Sequence, residues 1–249
     1  MIKYRLFWFI LLQVTFFIPA PSVARTPPID GGHITIIIEP VYNGKPLKLA
    51  NQYYVNGHGD TLYIDLFKFY ISNVKLSAGS SYVSYPDRHL IDAENITSLA
   101  FHIDNIPSGS FTSMQFMVGV DSTTNTLGAN YGDPDTAKGM YRGGNSGYIM
   151  AKLEGRSKVC KTLRHVFEFH IGGYMTPYNA ARIAKIELAK TIDVKNGKNI
   201  IIRIKADAAA WFREIDLSKV NRIVTPGKEA CRIADNYAQM FSLIEMKSE

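Results

Sequence analysis

The sequence predicts an all-β fold: an antiparallel β-sandwich carrying one long irregular loop insertion and a C-terminal helix. Three observations predict it. Short runs rich in Ile, Val, Tyr and Phe follow one another, and many alternate apolar with polar residues. Turn-forming dipeptides separate them, and helix signals are few. The aromatic content, 14 Tyr and 13 Phe against 2 Trp, suits strands better than helical bundles.

The strand runs, in order, are His33–Glu39, Thr61–Leu66, Lys68–Leu76, Ser98–Ile103, Phe111–Val120, Tyr148–Leu153, His165–Ile171, Ala184–Leu188 and Asn199–Lys205. Between them stand Asn43-Gly44, Asn56-Gly57, Pro107-Ser108-Gly109, Glu154-Gly155 and Asn196-Gly197. The last, set between two apolar runs, is the clearest hairpin signal. Lys228–Ile244 places Ala230, Ile233, Ala234, Tyr237, Phe241 and Ile244 on one face at helical spacing after Pro226-Gly227. Ala206–Ile215 reads as a shorter helix. Asp121–Gly147 has six Gly and one Pro and reads as the irregular insertion.

The chain has 249 residues, 46% hydrophobic and 20% charged, which excludes disorder, collagen-like repeats and coiled coil. Residues 1–24 read as a signal peptide. Lys3 and Arg5 precede an apolar stretch, Pro19 to Pro21 interrupt it, and Ser22-Val23-Ala24 offers a cleavage site. The alternative, an uncleaved anchor, needs about 20 apolar residues, more than this run supplies. Residues 25–32 read as a linker and 33–249 as one domain. The expectation is an exported protein, periplasmic or extracellular, with no integral membrane segment after cleavage. Its formal charge of +6 is spread along the chain without a basic run, so no nucleic-acid partner is expected.

Two cysteines, Cys160 and Cys231, remain after the signal segment. An even count in an exported chain favours a disulfide, with two free buried thiols as the alternative. No GxSxG elbow, HExxH, P-loop or GxGxxG is present, and no nucleophile–base set can be assembled, so the chain is not expected to be an enzyme. Asp121, Asn125, Asn130, Asp133, Asp135 and Asn145 supply oxygens to the insertion, but their spacing is not that of an EF-hand, and turn formation accounts for them. His170 ends a strand in FHIGG, where Gly172-Gly173 allow close backbone approach. As an isolated strand-end histidine it is either a packing residue or a metal ligand.

Several segments, in order, resemble the MbnP-like family. They are NGKPLKL (43–49), FKFYISNVKL (67–76), LID (90–92), VGVDSTTN (118–125), GDPDTAKGMY (132–141), NSGYIMAKLEGRS (145–157), FHIGG (169–173) and IADNYAQMF (233–241). The resemblance implies a β-sandwich, a periplasmic or extracellular location, copper binding, and association with a di-haem cytochrome c peroxidase-like partner. Where the family reads Gly-Met-aromatic-Trp-x-Trp-Asn-Ser-Gly-Tyr, this chain has Arg142 and Gly144 at the two Trp positions. Trp211 is the one tryptophan beyond the signal segment. Imidazole and thioether suit copper, so His170 and Met140 are the expected ligands, with His33, His58 or His102 as a further donor. The alternative is a sandwich that has lost its metal and serves as an interaction module of the cell envelope.

Overall fold

A computed structural model of the chain describes residues 31–128, 137–188 and 190–249. The expected signal peptide and residues 25–30 of the linker lie outside the described residues. So do Asn130, Asp133 and Asp135 of the insertion.

The strands are β1 (Gly32–Tyr42), β2 (Lys45–Pro46), β3 (Tyr53–Val55), β4 (Thr61–Ala78), β5 (Ser81–Asp92), β6 (Ala100–Ile106), β7 (Gly109–Phe111) and β8 (Ser113–Val118). After helix α1 (Ser122–Leu127) come β9 (Tyr141–Gly143), β10 (Gly147–Ser157), β11 (Val166–Gly172), β12 (Arg182–Ile186), β13 (Ile192–Val194), β14 (Asn199–Asp207) and β15 (Arg222–Ile223). Helix α2 (Lys228–Tyr237) and strand β16 (Phe241–Ser248) complete the described elements.

One sheet has the order β16-β14-β1-β2, with β6 also on β1; the larger has β12-β8-β4-β10-β11-β15, with β3 and β5 on β4 and β9 on β10. A small pair joins β13 to β7. The expected all-β sandwich is there, but it is not purely antiparallel: β1 runs parallel to β14, and β11 to β15.

Alternation decides which faces meet. In β1, Ile34, Ile36 and Ile38 are buried while their neighbours are partly exposed. The sheets meet through Phe241 of β16, whose ring lies 5.6 Å from Phe69 and 4.9 Å from Phe116 of the larger sheet. Trp211, in a 3-10 turn over Ala208–Phe212, packs 6.1 Å from Phe67 and 5.2 Å from Tyr237. Burying each such side chain is worth about 1.5–3 kcal/mol relative to leaving it exposed.

Four local expectations need correction. Gly32 is already strand, paired with Ile106, so the linker ends before residue 32. Thr61–Leu66 and Lys68–Leu76 are one strand, β4. The pairing with β10 jumps from Leu66 to Ile64 between Glu154 and Gly155, so the break in alternation is a bulge. Asn196-Gly197 does form a turn, closed by Lys198 N–H to the Lys195 carbonyl at 3.1 Å. It makes no hairpin, because β13 pairs with β7 while β14 pairs with β1 and β16. The final helix stops at Tyr237, since Phe241 pairs with Ala206 and begins β16.

Candidate functional site

Strands β10 and β11 form an antiparallel hairpin in which His170 faces Lys152 in register. Phe167, Phe169 and Ile171 point into the core, so His170 stands on the other face with Lys152 and Glu154. The imidazole is nonetheless buried, because Arg142 reaches over it from β9.

The polar geometry is closed. His170 Nε2 lies 2.6 Å from Glu154 Oε1, and Lys152 Nζ lies 3.1 Å from the same oxygen. His170 Nδ1 lies 2.5 Å from Arg142 Nη2, and Arg142 Nη1 donates to the Val224 carbonyl at 3.3 Å. A guanidinium can only donate, so Nδ1 accepts and the ring proton sits on Nε2, donated to Glu154. The hydrogen bond from His170, joined by Lys152, holds the Glu154 carboxyl down at about 2 against the opposing effect of burial.

The other expected residues lie elsewhere. Met140 is fully buried within the hydrophobic core. His33 Nδ1 pairs with Asp104 at 2.8 Å and His102 Nδ1 with Thr35 Oγ1 at 3.0 Å, both on the smaller sheet. His58 lies in the β3–β4 turn. Gly172-Gly173 leave no free space beside His170: a Cβ on Gly173 would meet the Tyr178 carbonyl oxygen at 2.4 Å.

Asp121 and Asn125 shape the loop, as expected. Asp121 caps α1 by accepting from Thr124 N–H at 2.9 Å. Buried Asn125 donates to the Val120 and Asp121 carbonyls and accepts from Tyr148 N–H at 2.8 Å. The insertion is therefore not wholly irregular, since it carries α1 and β9.

The expected Cys160–Cys231 disulfide is absent, and both thiols are free. Cys160 lies beside the start of β11, where its carbonyl is 2.9 Å from His165 Nδ1. Cys231 lies past the other end, its thiol 3.7 Å from the Asn179 carbonyl. The strand between them is about 20 Å long, whereas a disulfide needs Cα atoms within about 7 Å.

The residues do not fit a copper ion as they stand. One imidazole has both nitrogens engaged, and two cations, Arg142 and Lys152, surround the position. Among the described residues no three His, Cys, Asp or Glu side chains are grouped to hold a metal. Arg142 and Glu154, the two residues that define this site, were not legible as its members. The one available signal was that Lys152 and Glu154 share a strand face.

Similarity to known proteins agrees with the fold. A family model for MbnP matches residues 31–227. Among solved structures the chain is similar to MbnP from Methylosinus trichosporium, with a TM-score of 0.54 and 12% identity over 80% of this chain and 83% of that one. No curated protein matches it. The family model spans most of the chain, from the first strand to the start of α2, and on that ground the protein belongs to the MbnP family.

Proposed function

We propose that this chain is an exported, non-catalytic binding protein of the cell envelope, periplasmic or extracellular, in which the guanidinium of Arg142 takes the position beside His170 that a metal would need. The observation that carries this reading is the 2.5 Å contact between Arg142 Nη2 and His170 Nδ1. A fixed positive charge repels an incoming cation and fills the lone pair that would ligate it. Glu154 is held by both Lys152 and His170, and Arg142 by His170 and the Val224 carbonyl, so the charge left around the ring is positive and no acid or base there is free.

The second reading is copper binding at His170 with a di-haem peroxidase-like partner, and Glu154 favours it. A carboxylate holding one imidazole nitrogen is the usual way a metal-ligating histidine is oriented. The family resemblance also implies oxidation of a tryptophan by that partner, and Trp211, fully buried, argues against it here.

Copper titration of wild type, His170→Ala and Arg142→Ala separates the two. The first reading expects wild type and His170→Ala to behave alike and Arg142→Ala to gain copper uptake that depends on His170. One copper per wild-type chain, lost in His170→Ala, would replace it with the second.

A further inference from the structure

The turn end of the β10–β11 hairpin, about four residues along from His170, borders a cleft of about 670 Å³ that the MbnP reading does not use. Its floor is a cross-strand row. Tyr53 of β3 pairs with Tyr63 of β4, which pairs with Arg156 of β10. Residues in register lie on one face, so two phenol rings and a guanidinium stand side by side. Tyr53 is 62% exposed and Tyr63 37%. Arg156 is fixed there: its carbon Cζ lies 5.3 Å from the centre of the Tyr63 ring, and its nitrogens make two 2.8 Å bonds to Asp65.

The wall is the turn after β10, which contributes Lys158, Arg164 and His165. Asp65 is committed to Arg156, and Asp60, the one acid among the described residues that line the cleft, accepts from Asn56 at 3.1 Å. Among the described residues neither Lys158 nor Arg164 has an acidic partner. The cleft therefore has two cations without an ion-pair partner against the one carboxylate of Asp60, beside the exposed Tyr53 ring and the partly exposed Tyr63 ring. The turn is also held in a costly shape. Arg164 and His165 are consecutive non-glycine residues with φ of 63° and 58°. The His165 ring on the Cys160 carbonyl and His165 N–H on the Thr162 carbonyl, at 3.1 Å, keep it so. Backbone held in this region clusters at ligand-binding positions.

We propose that this cleft binds a small aromatic carboxylate. The ring would stack on Tyr53 and Tyr63, and the carboxylate would meet Lys158 and Arg164. The volume is that of a small-molecule site, and flat aromatic faces with a few convergent charges are how such sites fix orientation.

Calorimetric titration of the full chain with 4-hydroxybenzoate tests the proposal, with 4-hydroxybenzamide and acetate as controls for charge and ring. The expected result is saturable binding of the acid, at least tenfold weaker for both controls. Arg164→Gly removes the cation while tolerating the positive φ, and with Lys158→Gln it should weaken binding at least tenfold without lowering the melting temperature. Tyr53→Ser, at an exposed edge position, should weaken it similarly, and His170→Ala should leave it unchanged. Absence of saturable binding overturns the proposal, as does equal binding of the amide or indifference to these variants.

Discussion

Arg142 and His170 share one hydrogen bond in which the guanidinium is the donor and the bare Nδ1 the acceptor, 2.5 Å apart. The proton of the ring is thereby assigned to Nε2 and directed at Glu154. Nitrogen-15 NMR of the histidine rings should show His170 as the Nε2–H tautomer. Arg142→Ala should weaken that preference without abolishing it, because Glu154 still accepts the Nε2 proton. An Nδ1–H ring in the wild type would contradict the assignment.

Glu154 makes the same network sensitive to acid. Its carboxyl titrates at about 2 in the fold, below the ordinary value of 4.5. A depressed carboxyl stabilises the fold fully above pH about 4.5, and the contribution fades as pH falls toward about 2. Because the side chain is 30% exposed, solvent screening reduces its worth to about 1 kcal/mol. Glu154→Gln should lower stability by about that much at neutral pH and leave it nearly unchanged near pH 2. Urea unfolding at both values checks the sign.

The two cysteines should behave as separate thiols. Burial, with Asp60 nearby, pushes the Cys160 thiol up to about 11, and the residue is 1% exposed. Cys231 is only partly buried. A disulfide-exchange reagent should therefore modify Cys231 at least tenfold faster in the folded protein and both after denaturation. No titratable thiol in denatured, unreduced protein would restore the bridge.

Much of the fold could be read from alternation, and its errors share a cause. The hairpin signal at Asn196-Gly197 and the helical spacing beyond Tyr237 are local patterns, overridden by pairing with strands far away in the chain. β14 joins β1 across more than 160 positions, and Phe241 joins β14 rather than extending α2. Strand β5 escaped because among the described strands it pairs with β4 alone, contains Pro86 and is half exposed, so it has little apolar alternation. At the site, His170 was legible as a strand-end residue. Arg142 was not, because it reaches the ring through a long-range contact that no spacing encodes.

Trp211 gives a direct optical check on the core. It is the one tryptophan beyond the signal segment, it is fully buried, and its Nε1–H points at Met240 Sδ, 3.3 Å away. After removal of residues 1–24, its fluorescence should resist acrylamide quenching in the native state, and quenching should rise several-fold on unfolding. Strong native quenching would mean that the 3-10 turn does not close over the sandwich.

Gly147 and Asn125 provide the sharpest test of the loop. Gly147 opens β10 with φ of 58°, and a Cβ there would fall 2.2 Å from Asn125 Oδ1 and 2.9 Å from the Tyr174 ring. The left-handed conformation alone costs a non-glycine residue about 1–2 kcal/mol. Displacing Asn125 adds the loss of its bonds to Val120, Asp121 and Tyr148, each worth about 1 kcal/mol. Gly147→Ala should therefore destabilise by about 3 kcal/mol or more. Gly57→Ala is the control: its φ is ordinary and nothing lies within 4 Å, so it should change stability by less than about 0.5 kcal/mol. Because the clash and the bonds share Asn125, the double variant Asn125→Ala/Gly147→Ala should cost clearly less than the sum of the singles. Additive costs in urea unfolding would show that Gly147 is needed for its backbone alone, and that Asn125 does not set the start of β10.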